Sequence, residues 1–383
     1  MDKPTVQDIF HRFYPAYLDQ YSPSPVQAKV AHNIMNCKTG AYGANVCVCE
    51  DCGFVQIHYN SFRNRCCPMC QAVPKEMWMD ARREDVLDAP YFHLVFTVPD
   101  ILNPVIYSNQ RLLYDALYHA ASSTISELTA DPKHLGAKVG YICILHTWGS
   151  EMNFHPHIHT ILLGGGLASN NQWKDNGENF FLPIRVISKM FRGKYLEELK
   201  RLWEEDKLVF HGTAEKFRNH YTFKELLDSC YGMDWIPHCK KTFNGAQTVI
   251  KYLGKYTHRI AVSNHRIVCM DDDTVTFLVK DYRNEGQWKE LTISGVEFVR
   301  RFLMHVPPRR FVRIRHYGLL CSRTKSQKLT LCRNLLGCKK YLSKLRDMEM
   351  PEILEHLYGI KVCVCKACGG HLGKPQMRMP LRC

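Results

Sequence analysis

The chain has 383 residues, of which 45% are hydrophobic and 23% charged, and these proportions exclude a disordered or fibrous protein. Lysine and arginine number 51 against 37 acidic residues, and the net charge of +14 favours nucleic acid or an anionic surface as partner. The N terminus is charged where a signal peptide is apolar, and no apolar run approaches the roughly 18 residues of a membrane helix. We therefore expect a cytoplasmic protein without a membrane partner.

Two short helices are predicted at the N terminus, over TVQDIFHRFYPAYLDQY and SPVQAKVAHNIMNC. A cysteine-rich segment follows them, and in a reducing compartment clustered cysteines indicate metal ligands rather than disulfides. Cys49 and Cys52 form one C-x2-C pair, and Cys67 and Cys70 form a second. Two such pairs brought together supply the four thiolates of a structural Zn²⁺ site. Residues 1–90 are thus expected to form a helical and zinc-ribbon DNA-binding domain.

Several neighbours of these cysteines leave alternatives open. Cys47 and Cys66 adjoin the two pairs, so the sequence does not decide which thiolates bind the ion. Arg63 and Arg65 lie between the pairs, where they either contact DNA or form a solvated surface.

From residue 91 the pattern changes to strands and helices. Strands are predicted over YFHLVFTV, VGYICILHTW and HPHIHTILL, with a turn at 149–153 between the last two. The third strand is expected to end at Gly164, Gly165 and Gly166. Helices are predicted near 105–128, over RVISKMFRGKYLEELKRLWEED, and over GAQTVIKYLGKYTHR from about Gly245. A hairpin with Asp271 to Asp273 as its turn follows. The expected fold is α+β, with a central antiparallel sheet flanked by helices, and residues 91–285 form its domain.

The strand segment NFHPHIHTILL carries three histidines at alternate positions, so that His155, His157 and His159 share one face. If the preceding turn is centred between residues 151 and 152, antiparallel pairing places His146 opposite His157. His146 is then the candidate third ligand of a divalent metal site that leaves positions open for substrate. Gln247 is the rival third ligand, and a structural role for His146 is the alternative.

A third motif is KYLGKYTHRIAVSNH, in which Tyr252 and Tyr256 are four residues apart and share one face of a helix. Tyrosines at this spacing are often packing residues, but a divalent metal that polarises a phosphodiester would let a tyrosinate attack phosphorus. Cationic side chains suited to phosphate surround the pair: Lys251, Lys255, His258 and Arg259.

Residues 300–346 carry 14 lysine or arginine residues and no acidic one, interleaved with aromatic residues. This mixture is typical of a surface that follows a nucleic-acid backbone and stacks bases, so 286–350 is expected to be a basic DNA-binding region. Its candidate contacts are Arg309, Arg310, Arg313 and Arg315. The alternative for VRIRHYGLL is a strand with a solvated face.

The last segment, 351–383, is a candidate second zinc-binding tail. VCVCKACG at 362–369 repeats the pattern of VCVCEDCG at 46–53. Its candidate ligands are Cys363, Cys365, Cys368 and Cys383, with His371 nearby, but only one C-x2-C pair is well formed.

The chain resembles the rolling-circle transposases of the insertion sequence 91 family, within the superfamily of endonucleases defined by a histidine-hydrophobic-histidine metal motif. The resemblance covers roughly residues 25–340 in order. It rests on segments such as YNSFRNRCCPMCQ, HPHIHTILLGGGL, YLGKYTHRIAVSNHR and RRFLMHVPPRRFVRIRHYGLL. Two positions depart from the family pattern, which often has cysteine in place of Phe62 and histidine in place of Cys66.

The resemblance implies an N-terminal zinc-binding domain joined to a two-tyrosine transposase domain. It places the metal histidines on His157 and His159, the nucleophiles on Tyr252 and Tyr256, and the zinc ligands on Cys49, Cys52, Cys67 and Cys70. It further implies cleavage of single-stranded DNA at the element ends through 5′-phosphotyrosine intermediates, and strand transfer without ATP. Mg²⁺ or Mn²⁺ is the expected ion at the histidines.

Two other functions remain open from the sequence. A plasmid rolling-circle replication initiator or relaxase would share the histidine strand and the tyrosine chemistry. A non-catalytic zinc-ribbon DNA-binding protein would need neither, and the intact histidines and tyrosines argue against it. Because no GxxxxGK[ST] phosphate-binding loop occurs in the sequence, we expect a host helicase and replication machinery as partners.

Overall fold

The computed structural model describes residues 3–177, 180, 182–235, 237–243, 249, 254, 261–281 and 284–378, with the backbone alone at 240–243. Ten helices within these ranges are α1 Val6–Gln20, α2 Pro25–Met35, α3 Ala72–Arg83, α4 Asn103–Ser108, α5 Gln110–Ala130, α6 Ile184–Glu204, α7 His220–Gly232, α8 Gly295–Met304, α9 Lys325–Leu336 and α10 Met350–Tyr358. No helix of the described ranges has the length and apolar character that crossing a bilayer requires.

Twelve strands are present in the same ranges. They are β1 Ala44–Val48, β2 Val55–Tyr59, β3 Tyr91–Thr97, β4 Lys138–Trp148, β5 Phe154–Leu167, β6 Trp173–Asp175, β7 His238–Phe243, β8 Ile267–Met270, β9 Thr274–Asp281, β10 Gln287–Ser294, β11 Ile314–Gly318 and β12 Gln376–Arg378.

The central sheet is antiparallel, in the order β11-β4-β5-β3-β7, with β6 paired to β5. Its longest strands, β4 and β5, form the hairpin that the sequence predicts, and Gly149 N–H donates to the Asn153 carbonyl to close the turn. The α+β class with a central antiparallel sheet is confirmed. This hairpin provides the rigid frame on which the histidines lie.

Different residues pack against the two faces of the central sheet. On one face, alternate residues such as Phe92, Cys143 and Ile158 pack in one core with the apolar sides of α5 and α6. Helix α5 buries residues three and four apart, such as Leu113, Leu117 and Ala121, which is the spacing of one helix face. The opposite face carries a smaller apolar cluster and the histidines. The chemistry is therefore confined to the face that the long helices leave free.

The glycine run after the histidines does not end the strand, contrary to the sequence prediction, because β5 continues to Leu167. A Cβ on Gly164 would lie 2.8 Å from the Phe92 ring, and one on Gly165 would lie 2.4 Å from Trp173. A Cβ on Gly166 would lie 2.4 Å from the Lys138 carbonyl oxygen. The glycines therefore allow neighbouring strands and rings to approach, rather than turning the chain.

The two N-terminal helices form as predicted and share a core with the β8-β9-β10 sheet and α8. Thr5 and Ser24 cap α1 and α2 with reciprocal capping boxes. In that core Phe10 meets Phe302 edge to face, with ring centroids 5.2 Å apart. The hairpin expected around Asp271 to Asp273 is β8-β9.

Two segments expected to stand apart join larger sheets. Strand β11, within the basic region 286–350, forms the edge of the central sheet, in agreement with the strand alternative for VRIRHYGLL. Strand β12, in the tail 351–383, pairs with β1 of the zinc ribbon and gives the order β12-β1-β2. The C-terminal segment thus returns to the N-terminal one.

Candidate metal centre

Three histidine side chains converge on the free face of the central sheet. His146 pairs directly with His157 across the β4-β5 hairpin, which confirms the predicted register. His159 lies two residues further along β5, on the same face. All three side chains are buried, and one ring nitrogen from each lies within 4.8 Å of the others. The hairpin therefore supplies a three-nitrogen site from two adjacent strands.

The ring orientations suit a divalent ion. His157 Nε2 lies 3.0 Å from His159 Nε2. Two nitrogens that bind one ion at about 2.1 Å and at right angles are separated by about 3.0 Å. The Nδ1–H of His157 donates to the His155 carbonyl at 2.6 Å, which leaves the Nε2 lone pair free to bind metal. The donors of this face therefore fit a bound divalent metal.

Burial keeps the imidazoles of His157 and His159 neutral. Desolvation lowers the pKa of His157 to about 3, and it holds the pKa of His159 well below its ordinary value. A neutral imidazole is the form that binds a metal, so both rings are competent ligands at neutral pH. Trp148 stacks on the His146 ring at a centroid distance of 4.4 Å and holds it in place.

His93 is a residue that the sequence reasoning missed. It lies on β3, and its Nε2 is 2.9 Å from Nδ1 of His159. Strand alternation in YFHLVFTV places His93 on one face with Tyr91 and Val95, but the β3-β5 pairing that brings it to His159 was not foreseen. His155, in contrast, is partly exposed and lies 3.3 Å from an Asp100 carboxylate oxygen, outside the trio.

The two tyrosines and the residues around them fall outside the described ranges. The affected residues are Gln247, Lys251, Tyr252, Lys255, Tyr256, His258 and Arg259, together with Cys383 at the C terminus. Two residues of this region are described. Val249 is buried in the apolar cluster that includes Ile144 and Ile161, on the histidine face of the sheet. A Cβ on Gly254 would lie 2.0 Å from Met79 Sδ of α3.

The structure corrects the expectation that two cysteine pairs share one zinc. Within the described ranges, Cys67 and Cys70 cluster with Cys37, whereas Cys49 and Cys52 cluster with Cys365 and Cys368. The two pairs separate because β1 and β2 carry the first pair away from the loop that holds the second. Cys363, a candidate ligand of the tail, is exposed and is not part of either cluster.

Within the Cys37 trio, the surroundings favour the thiolate of Cys70, whereas burial raises the pKa of Cys37 and the hydrogen bond with Cys70 raises that of Cys67. The Cys67 thiol donates to the Cys70 sulfur, and this hydrogen bond lowers the pKa of Cys70. Backbone N–H groups of Phe62 and Arg63 donate to Cys37 and Cys70. Burial raises the pKa of the adjacent Cys66 to about 11, so that thiol stays protonated.

The four arginines expected to contact DNA occupy different environments. Arg309 and Arg310 are exposed and line a cleft of about 440 Å³ together with Lys29 and Arg65. Arg313 is buried beside Cys66, and desolvation lowers its pKa. Arg315 pairs with Asp115 and lies 4.0 Å above the Tyr118 ring. Arg313, just before β11, and Arg315, within it, therefore have protein neighbours, whereas all four arginines were expected to contact DNA.

Comparison with known proteins matches both halves of the chain. Residues 9–98 match the model described as "Transposase zinc-binding domain", and residues 140–328 match the one described as "Putative transposase". The "Putative transposase y4qJ" of Sinorhizobium fredii is 40% identical over 369 residues, which cover 95% of this chain and 93% of the relative. The chain belongs to the insertion sequence 91 family of transposases.

A second relative is the transposase for insertion sequence element IS801 of Pseudomonas savastanoi pv. phaseolicola. It is 30% identical over 309 residues, which cover 79% of this transposase and 72% of the relative. Among solved structures, the transposase is similar to the conjugative relaxase TrwC in complex with OriT DNA. That match has a TM-score of 0.25 and 12% identity, and it covers 43% of this chain and 71% of the relaxase.

The ranges of the family matches can be compared with the cysteine clusters. The zinc-binding match at 9–98 contains Cys37, Cys67 and Cys70, and also Cys49 and Cys52. The Phe62 N–H donates to Cys37, so position 62 adjoins the trio, although its ring is 41% exposed. Cys365 and Cys368 lie beyond both matches.

Proposed function

We propose that this transposase nicks and joins single-stranded DNA at the ends of its insertion sequence, with Tyr252 and Tyr256 as nucleophiles beside a divalent metal. The observation that carries the proposal is the convergence of His146, His157 and His159 on the free face of the sheet. Three imidazoles gathered on one buried face have a chemical purpose in an enzyme that must polarise a phosphodiester.

The three histidines would hold the metal, which when bound would polarise the non-bridging oxygens of the scissile phosphate. Mg²⁺ prefers oxygen ligands, so a set of three nitrogens favours Mn²⁺ or a softer ion. His157 would bind through Nε2, because its Nδ1–H is held by the His155 carbonyl. His159 would likewise donate its Nδ1–H to His93, which fixes the ring in its ligand orientation.

In the reaction, a tyrosinate oxygen attacks phosphorus and the bond from phosphorus to the 3′ oxygen breaks. The leaving oxygen takes a proton and becomes a 3′-hydroxyl, while the tyrosine carries the 5′-phosphate. A 3′-hydroxyl of another strand then attacks that phosphotyrosine, which restores the phosphodiester and releases the tyrosine. The bond energy is conserved in the adduct, so joining needs no ATP. Two tyrosines allow one to cut the donor and the other the target.

Two features of the described residues support this assignment. Val249, three residues before Tyr252, packs in the same apolar cluster as Ile144 and Ile161, which continue the histidine face. Arg309, Arg310, Arg65 and Lys29 line one cleft, and clustered cations attract a phosphate backbone. We expect a host helicase to supply the single strand, since the sequence lacks a phosphate-binding loop of its own.

The test is nicking of a labelled single-stranded oligonucleotide from the element's end with Mn²⁺. We expect a product with a free 3′-hydroxyl and a covalent protein–DNA adduct. The double variant Tyr252→Phe, Tyr256→Phe should form neither, while the control Tyr221→Phe, at an exposed tyrosine of α7, should form both at wild-type rates. Undiminished cleavage by the double variant would overturn the proposal.

A further inference from the structure

The two C-x2-C pairs at opposite ends of the chain have the same local structure. In the first turn, Cys49 N–H donates to the Phe54 carbonyl and Gly53 N–H donates to the Cys49 carbonyl. In the second turn, Cys365 N–H donates to the Gly370 carbonyl and Gly369 N–H donates to the Cys365 carbonyl. Gly53 and Gly369 have φ of 70° and 78°, which glycine adopts without strain. The sequence repeat at 46–53 and 362–369 is therefore also a structural repeat.

The two turns face each other across a short antiparallel interface. Strand β12 pairs with β1, and single bridges join Cys49 to Leu372 and Val364 to His371. Glu50 N–H donates to the His371 carbonyl, and Gly373 N–H donates to the Val48 carbonyl. The segment 340–378, which we name the C-terminal arm, is thus seated on the ribbon formed by β1 and β2.

The sulfur atoms have the separations of a tetrahedral tetrathiolate site. Cys49 Sγ lies 3.6 Å from Cys368 Sγ, and Cys52 Sγ lies 3.8 Å from Cys365 Sγ. Four sulfurs at about 2.3 Å from a zinc ion are about 3.8 Å apart. These distances are too long for disulfides, and all four cysteines are free. Gly370 N–H donates to the Cys368 sulfur and Phe54 N–H donates to the Cys52 sulfur.

The apolar contact at this junction is small. Among the described residues, its buried cluster contains Cys47, Cys49, Cys365 and Leu372. So small a core does not order a module by itself, and a structural metal commonly provides the missing stability. The junction therefore has both the ligands of a metal site and the need for one.

We propose that one zinc ion binds four thiolates, two from each end of the chain, and fastens the C-terminal arm to the ribbon. The four ligands, which we name the clasp cysteines, are Cys49, Cys52, Cys365 and Cys368. Each of the two close sulfur–sulfur contacts is between cysteines that are more than 300 residues apart in the sequence. This site differs from the Cys37 trio and does not depend on the nicking chemistry.

The clasp has a second anchor nearby. The buried carboxylate of Asp80 on α3 accepts hydrogen bonds from the Tyr341 hydroxyl at 2.6 Å, the Ser343 hydroxyl at 2.6 Å and the Leu345 N–H at 2.9 Å. The arm therefore crosses α3 before it reaches the ribbon. Met79 of the same helix lies beside Gly254, so the clasp and this anchor together hold the arm against the helix that contacts Gly254.

The test is the zinc content of the purified full chain, measured by inductively coupled plasma mass spectrometry. Cys49→Ser with Cys52→Ser should lose one equivalent, and Cys365→Ser with Cys368→Ser should lose the same one. The variant with all four serines should lose no more than either pair. Cys363→Ser is the matched control, because that exposed cysteine lies two residues from Cys365 and outside the cluster.

Two further measurements keep the result decisive if serine variants fold poorly. Cys368→His keeps a ligand, so it should retain zinc, and its cobalt derivative should shift from the absorption of a four-sulfur site to that of a three-sulfur, one-nitrogen site. In the wild-type protein, removal of zinc with a chelator should make the chain more susceptible to tryptic cleavage after the exposed Lys366. Full zinc content in the Cys365→Ser, Cys368→Ser protein, or loss of two equivalents in the four-serine protein, overturns the clasp.

Discussion

His93 Nε2 lies 2.9 Å from His159 Nδ1, and both rings are buried on the same face of the central sheet. The rings are nearly parallel, with an interplanar angle of 11°. This contact fixes the orientation of a proposed metal ligand through a neighbour that does not join the trio. His93 is therefore a positioning residue whose influence should be seen in metal affinity.

Replacement of His93 should weaken metal binding without removing a ligand. We expect His93→Phe to lower the Mn²⁺ affinity by about 10- to 100-fold, because an outer partner of a ligating imidazole is lost. His93→Gln retains a hydrogen-bonding group and should recover part of the affinity. Calorimetric titration with Mn²⁺ provides the measurement, and equal affinities for the two variants would show that the hydrogen bond is unimportant.

The third ligand of the histidine metal site can be identified by comparing variants of His146 and of Gln247, the rival candidate. His146→Ala should reduce Mn²⁺ affinity by about 100-fold or more, since loss of a ligand exceeds the loss of an outer partner. Nicking should then be recovered in part at high Mn²⁺ concentration. His155→Ala, which removes a partly exposed ring paired with Asp100, is the control and should titrate like the wild type. A larger effect from Gln247→Ala would transfer the role to that residue.

The basic cleft should account for part of the DNA affinity. Arg309→Ala with Arg310→Ala should weaken binding to single-stranded DNA and reduce the slope of log K against log salt by about 1.4, as expected for two lost phosphate contacts. Lys200→Ala with Lys207→Ala removes two exposed cations that pair with Glu204 and Glu205, and the slope should stay unchanged. Arg315→Ala should lower thermal stability instead, because Arg315 is engaged with Asp115 and Tyr118.

The Cys37 trio should hold a zinc ion of its own. Cys37→Ser should remove about one zinc equivalent and lower the melting temperature, since three thiolates become two. Cys66→Ser is the matched control: this neighbouring buried thiol stays protonated and should not affect zinc content. If Cys66→Ser lost the zinc ion and Cys37→Ser kept it, Cys66 rather than Cys37 would be the ligand.

His305 should make the fold sensitive to acid. Its ring lies 3.1 Å from the Thr147 hydroxyl and donates to the Met152 carbonyl at 3.0 Å, while burial lowers its pKa to about 4 from 6.5. Above pH 6.5 both folded and unfolded forms are neutral. As pH falls below 6.5 the unfolded chain binds the proton first, so stability decreases until about pH 4.

Between pH 7 and pH 5, His305 should therefore account for about 2 kcal/mol of lost unfolding free energy. The glutamine amide in His305→Gln can replace both hydrogen bonds but does not titrate, so its stability should depend less on pH. Urea unfolding of both proteins at the two pH values measures the difference. Identical pH dependence would assign the acid sensitivity to other histidines with a lowered pKa, such as the partly buried His316.

The sequence by itself determined the features that depend on local geometry. Period-two alternation placed His157 and His159 on one face, and the centre of the hairpin turn placed His146 opposite His157, because register within a hairpin follows from turn position. The helix periodicity of α1, α2, α5 and α6 and the capping residues of α1 and α2 were equally local.

Tertiary structure decided every relationship between distant segments. All C-x2-C pairs have the same chemistry, so spacing could not tell that Cys49 and Cys52 meet Cys365 and Cys368 rather than Cys67 and Cys70. The β3-β5 pairing that brings His93 to His159, and the pairing of β11 that turns Arg313 inward, likewise depend on strand order. Strand order is set by the packing of whole elements, which no short pattern of residues encodes.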